Sequence, residues 1–223
     1  MFYVNLKYLK RKVFTVDKIS VIVPCFNEED VLPLFYQEVT KVLESIENTT
    51  YELLFINDGS SDHTEDLIKL MAHKNKQCFY YSFSRNFGKE AAMYAGLENA
   101  TGDYVVIMDA DLQHPPYLLK EMYRSLKEEN YDCCAGKRID RTGEGKLRNF
   151  LSHSFYKVIQ TLTKMDMDDG AGDFRMMTRQ MVDAILELKE YNRYMKGLFS
   201  FVGFNTKWLE FHNVERQGGN TKW

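Results

Sequence analysis

The sequence carries no pattern for a zinc site or a disulfide scaffold. Its four cysteines, Cys25, Cys78, Cys133 and Cys134, make no CxxC pair and no His/Cys cluster. Adjacent Cys133 and Cys134 would point to opposite sides of a strand, so a bond between them is not expected. Buried free thiols in a reducing compartment are the expectation. Also missing is an uncharged apolar run of roughly 20 residues, the length a membrane-spanning helix needs. Met1 to Lys18 does not read as a secretory leader, because Lys7, Lys10, Arg11 and Lys12 interrupt it. There is no strong excess of one charge. With 29 Lys and Arg against 32 Asp and Glu the net charge is −3, which argues against nucleic acid as a partner. Nor is there an internal repeat, a low-complexity tract or a linker. The 223 residues suit one domain with a sizeable core.

What is present is an alternation of strand and helix patterns. Lys18–Pro24 is a β-branched run suited to a buried strand. A helix follows, with Val31, Leu34, Phe35, Val39, Val42, Leu43 and Ile46 at three- and four-residue steps, Asn27 as its cap and Pro33 near its first turn. Tyr51–Asn57 reads as a second strand, and Asp62 with Glu65 as a capping box opening a helix through Met71. Phe79–Phe83 is a third strand, Lys89–Asn99 a helix rich in small residues, and Asp103–Asp109 a fourth strand. Pro115 and Pro116 then open a helix towards Glu129. Further on, the pattern gives a strand at Asp132–Lys137, a helix at Gly143–Lys164, a short strand at Asp173–Met177, a helix at Arg179–Leu188 and a strand at Phe204–His212. This order predicts a mostly parallel central sheet with helices on both faces. In such sheets ligands bind beyond the carboxyl ends of the strands. The polar runs Asn27–Glu29, Asn57–Asp62 and Asp109–Gln113 fall at those ends.

Asp109, Asp111 and Gln113 are two residues apart, so in an extended segment they face one side. Two carboxylates and an amide oxygen make a hard donor set suited to Mg²⁺ or Mn²⁺ shared with a diphosphate. A divalent cation there would stabilise the charge on a departing phosphate. A solvated acidic turn is the plainer reading of the same residues. Asp58 is either part of a Gly-assisted turn or an acceptor for a nucleobase or ribose; because Asp62 can cap the next helix, Asp58 is read as spare. Asp173 is either an internal partner of Arg175 or Arg179, or a group beside the acceptor. The basic residues from Lys137 to Lys157, interleaved with apolar ones from Phe150 to Leu162, fit either a membrane-surface helix or an ordinary amphipathic one. His63, His73, His153 and His212 read as surface or satisfied core positions.

Taken together, Val23–Glu29, Asn57–Asp62, Ser84–Lys89, Asp109–Gln113, Gly172–Arg175 and Arg216–Trp223 stand in the order and spacing of glycosyltransferase family 2. The set resembles the branch that glycosylates polyprenyl phosphates, over roughly residues 18 to 223. The resemblance implies an α/β GT-A (Rossmann-like) fold and inverting, metal-dependent transfer of a sugar from a UDP- or GDP-linked donor to a polyprenyl phosphate. It implies a nucleotide pocket of Pro24, Phe26, Glu28, Ile56 and Asp58, with metal and diphosphate contacts through Asp109, Ala110, Asp111 and Gln113. Arg138, Arg216 and Lys222 match basic positions around the phosphates, and Asp111 and Asp173 match the catalytic carboxylates. His114, where relatives often carry Asp, and Thr221, for the more usual Ser, depart from the pattern.

The expected division is an N-terminal extension over 1–17, a catalytic domain over 18–212 and a phosphate-closing segment over 213–223. Relatives continue into membrane-associated helices, so the chain is read as truncated before them, from an enzyme at the cytoplasmic face of the membrane. Three rivals stand beside this reading. One is the same fold acting on a hydroxyl of a glycan or cell-wall polymer. Another is a nucleotidyltransferase, which would carry a Gly-rich loop where this chain has Pro24–Glu29. The third is a nucleotide-sensing module that performs no transfer.

Overall fold

The computed structural model describes residues 16–139, 171–188 and 194–212. The expected helix at Gly143–Lys164, the segment 213–223 with Arg216, Lys222 and Thr221, and His153 lie outside the described residues, as does almost all of the extension over 1–17.

Among the described residues, seven strands form one sheet: β1 (Asp17–Cys25), β2 (Thr49–Asn57), β3 (Cys78–Ser82), β4 (Tyr104–Ile107), β5 (Cys133–Arg138), β6 (Ala171–Thr178) and β7 (Thr206–Phe211). Their order across the sheet is β3-β2-β1-β4-β6-β5-β7. All pairings are parallel except those of β6, which runs antiparallel between β4 and β5. The helices are α1 (Leu32–Glu44), α2 (Thr64–Lys74), α3 (Lys89–Asn99), α4 (Leu118–Glu128), α5 (Arg179–Leu186) and α6 (Met195–Phe201).

Strand alternation divides the core in two. Val21, Val23, Leu53, Phe55, Phe174 and Met176 face the layer of α1, α2 and α4. Ile22, Leu54, Ile56, Ile107, Ala135 and Met177 face α3, α5 and α6. Cys133 and Cys134 fall on opposite sides of this divide, as their adjacency requires, and all four cysteines are buried free thiols. In α1 the buried residues Leu32, Phe35, Val39 and Leu43 keep a helical spacing, whereas Leu34 is exposed. In α3, Gly96 lets the helix sit against Ile22, whose Cγ2 would lie 2.2 Å from an added β-carbon. Arg179 donates to the carbonyls of Ala100 and Gly102 and so closes the C-terminus of α3.

Three expectations need correction. Asn27 is not the cap of α1; that position is Val31, and Asn27 sits in a left-handed turn with φ 55°. The capping box does not form: the cap of α2 is His63, Asp62 accepts the Thr64 N–H at 3.0 Å from one position earlier, and Glu65 accepts from the Asn57 side chain. The fourth strand ends at Ile107, so Asp109, Asp111 and Gln113 lie on a turn rather than on extended chain. Helix α6 has no counterpart in the sequence reading. It is a short helix whose hydrophobic residues Met195, Leu198 and Phe199 are buried, and its first N–H is capped from α3 by Glu90 at 2.8 Å.

Candidate active site

The carboxyl ends of β1, β2 and β4 line up along one edge of the sheet, and their loops are knitted by side chains acting on backbone. The Asn27 N–H donates to Ser60 Oγ at 2.9 Å, and Asn27 Oδ1 accepts the Ser61 N–H at 2.8 Å. The Glu28 N–H donates to Thr64 Oγ1 at 2.7 Å, and Glu29 accepts the His63 N–H at 2.9 Å. Much of the polarity noted at these strand ends therefore holds the first two loops together. Pro24, Glu28 and Ile56 are buried and Phe26 is half-buried beside this junction.

Asp58 is fully buried, and it is not spare. Its two oxygens accept the N–H groups of Phe87 at 2.7 Å and Gly88 at 2.9 Å. Burial raises its pKa, and those two hydrogen bonds oppose the rise without cancelling it. The carboxylate thus clamps the loop that leads into α3, whose first residue is Lys89.

Lys89 reaches across the sheet edge. Its Nζ lies 2.8 Å from both carboxylate oxygens of Asp109 and 2.8 Å from Oδ2 of Asp173. The strand register explains the meeting. Ile107 pairs with Arg175 across the antiparallel β4–β6 seam, so two residues further on Asp109 comes level with Asp173. Burial works to raise the Asp173 pKa, but the charges of Lys89 and Lys196 outweigh it and hold the carboxyl below the usual carboxylate range. Asp173 Oδ1 is buried and has no hydrogen-bond partner among the described residues.

Of the expected internal partners of Asp173, Arg175 acts on it through its charge, but both arginines direct their hydrogen bonds elsewhere. Arg175 donates to the Gly172 carbonyl at 2.9 Å and stacks on Phe199 at 3.8 Å, and Arg179 closes α3. His114 is buried with its ring flat on Phe174, centroids 4.8 Å apart. Burial lowers its pKa. The charges of Asp109 and Asp111 oppose that lowering, and those of Lys89 and Arg138 add to it. Asp111 and Ala110 are buried, and Asp111 Oδ1 accepts the Gln113 N–H at 3.1 Å. His63, His73 and His212 are exposed.

Sequence reading named Asp109, Asp111, Gln113, Arg138 and Asp173 but missed Lys89 as the bridge. One available signal was a lysine in the first turn of a helix, where its charge opposes the helix dipole.

Among the described residues, no group of three or more His, Cys, Asp or Glu side chains is gathered as a metal cage. Two carboxylates and an amide fall short of the six oxygens that Mg²⁺ or Mn²⁺ prefers. Such an ion commonly takes one or two protein carboxylates and completes its shell with phosphate oxygens and water. The donor set of the Asp109–Gln113 turn fits that partial, substrate-completed kind of site. No described helix is long and apolar enough to cross a membrane.

Comparison with known proteins agrees with this architecture. The chain is 46% identical over 205 residues to the putative glycosyltransferase CsbB of Bacillus subtilis, covering 92% of this chain and 61% of that protein. It is 39% identical over 209 residues to the prophage bactoprenol glucosyl transferase homolog of Escherichia coli K12, covering 92% of this chain and 66% of that protein. The chain thus spans about three fifths to two thirds of these relatives' length. Among solved structures, the mannosyltransferase PcManGT of Pyrobaculum calidifontis, in complex with GDP-Man and Mn²⁺, superposes with a TM-score of 0.62 at 18% identity, covering 90% of this chain and 57% of that one. The glucosyl-3-phosphoglycerate synthase of Mycobacterium tuberculosis, in complex with Mn²⁺, UDP-Glc and phosphoglyceric acid, gives 0.58 at 19% identity, covering 92% and 73%. These neighbours are GT-A glycosyltransferases, and the mostly parallel sheet with helices on both faces is that fold. The model of glycosyl transferase family 2 matches residues 20–186, and the chain belongs to that family.

Proposed function

We propose that the chain is the catalytic part of an enzyme that moves a sugar, with inversion, from a nucleotide diphosphate donor to a polyprenyl phosphate. The observation that carries the proposal is the meeting of Asp109, at the head of the Asp109–Gln113 turn, with Asp173 through Lys89 at the carboxyl edge of the sheet. The likeness to bactoprenol glucosyl transferases supports the acceptor class.

In this reading Pro24, Phe26, Glu28 and Ile56 line the nucleotide end of the donor pocket, with Asp58 beneath them. Asp109, Asp111 and Gln113 would hold Mg²⁺ or Mn²⁺, whose charge stabilises the departing diphosphate. Arg138 adds positive charge beside it, joined by Arg216 and Lys222 from the segment outside the described residues. A lipid-phosphate oxygen bonds to the anomeric carbon as the bond from that carbon to the donor phosphate breaks, and the nucleoside diphosphate leaves. The attacking phosphate is already ionised near neutral pH and needs no proton removed. An ion-paired Asp173 is a weak base, so its part is to position the acceptor together with Lys89. The reaction belongs at the cytoplasmic face of the membrane, where the basic segment after Lys137 would meet anionic lipid.

The test is transfer of labelled glucose or mannose from UDP- or GDP-sugar to a short polyprenyl phosphate in the presence of Mn²⁺. Asp111→Asn is expected to abolish transfer while the circular dichroism melt stays near wild type. Near-normal turnover of that variant would remove the metal assignment. Transfer only to hydroxyl acceptors would replace the acceptor class.

A further inference from the structure

Lys89 is placed where a lysine is costly. It opens α3, where its charge meets the positive end of the helix dipole, and its side chain is only 17% exposed. Burying an ammonium is costly, and the ion pairs with Asp109 and Asp173 offset that cost. Its backbone position is fixed as well, because Asp58 grips the amides of the two residues before it.

The ammonium straddles the Asp109 carboxylate, 2.8 Å from each oxygen, and so takes the cation position that the donor-site reading gives to a divalent ion. One carboxylate cannot serve both cations fully at such short range. Its second partner offers an exit. Asp173 already accepts from Lys89 through Oδ2, and its Oδ1 is buried without a hydrogen-bond partner among the described residues. The ammonium can therefore give up Asp109 and remain neutralised by Asp173.

We propose that Lys89 is an exchangeable counterion of the donor site: it neutralises Asp109 until a divalent cation arrives with the donor diphosphate, and then pairs with Asp173 alone. The inference rests on the metal-dependent reading of the site and adds a consequence to it. The cation alone must compete with the ammonium for Asp109, whereas the cation with a diphosphate brings ligands of its own. Lys89 thereby makes metal uptake depend on donor uptake, and it leaves an ammonium beside Asp173 once the donor is seated.

The experiment is a Mn²⁺ titration of the full chain, followed by electron paramagnetic resonance of the free ion, without nucleotide and with UDP or GDP. Wild type is expected to bind Mn²⁺ weakly alone and tightly with one of the nucleotides. Lys89→Gln and Lys89→Met, which remove the competing cation, should bind Mn²⁺ alone about tenfold more tightly, a gain within the usual range of coupling between two sites. Lys89→Arg keeps the charge and should show no gain, which separates the counterion role from a packing role. Glutamine retains donors for both carboxylates, so Lys89→Gln carries the test if the methionine variant does not fold. Nucleotide-free affinity no tighter than wild type in Lys89→Gln, with nucleotide-dependent Mn²⁺ binding intact, would overturn the counterion and leave the metal site standing. If wild type takes up no Mn²⁺ even with UDP or GDP, the metal reading fails and the counterion with it.

Discussion

Gly59 and Arg85 are packed backbone to backbone: a β-carbon on Gly59 would stand 2.4 Å from the Arg85 carbonyl carbon. Gly59 also has φ 66°, in the left-handed region. The loop after β2 and the loop before α3 are therefore a single packed unit, and Asp58 and Lys89 belong to it.

Gly59→Ala should destabilise the fold by about 2–4 kcal/mol, adding a left-handed backbone penalty to overpacking. Calorimetry checks the loss, and nucleotide titration checks that the binding edge weakens with it. An unchanged melting temperature would mean that the 85–88 loop gives way freely.

Asp58→Asn sets an amide NH₂ against one of the two N–H groups that the carboxylate now accepts. The expected cost is about 1–3 kcal/mol. If the residue acts by clamping the loop, affinity for UDP and GDP falls by the same factor. A change in the preference between the two would show direct contact with the base.

Glu52 gives a pH signature away from the active site. It is buried, accepts from Ser20 at 2.6 Å and the Thr101 N–H at 2.8 Å, and pairs with Lys18. Burial raises its pKa, but the Lys18 and Ser20 side chains and the Thr101 amide prevail, and the net shift is below the ordinary value of 4.5. A depressed carboxyl stabilises the fold above its unfolded pKa, and that stability is lost as pH falls through the folded one. Glu52→Gln should therefore cost about 1–3 kcal/mol at pH 7, with the gap to wild type closing in acid below the ordinary glutamate range. A gap that stays constant from neutral pH into acid would assign the effect to shape rather than charge.

Asp173→Asn separates acceptor classes. With a polyprenyl phosphate, the loss in kcat/KM should stay below about a hundredfold, because no proton has to be removed. With a hydroxyl acceptor the loss should approach the 10⁴ or so that a general base can supply. A collapse of that size on the lipid phosphate would restore Asp173 as a base.

The alternation of strand and helix was legible because both periods are local. The β-branched run of β1 and the three- and four-residue steps of α1 each declare themselves within a few residues. The acidic run after β4 was legible for the same reason, but its departure from extended chain was not, since nothing local marks where pairing stops. Helix α6 escaped notice because it is short, contains Gly197, and takes its cap from Glu90, 105 residues away in the chain.

By itself the sequence determined the order of elements and the residue types at the strand ends. Tertiary structure alone decided which of those residues meet. Asp109 and Asp173 are set side by side by the antiparallel insertion of β6, and Lys89 reaches them from 20 and 84 residues away. Helical and strand periodicity act over a few residues, but a charge finds its partner by distance in space, and only the packed sheet sets that distance.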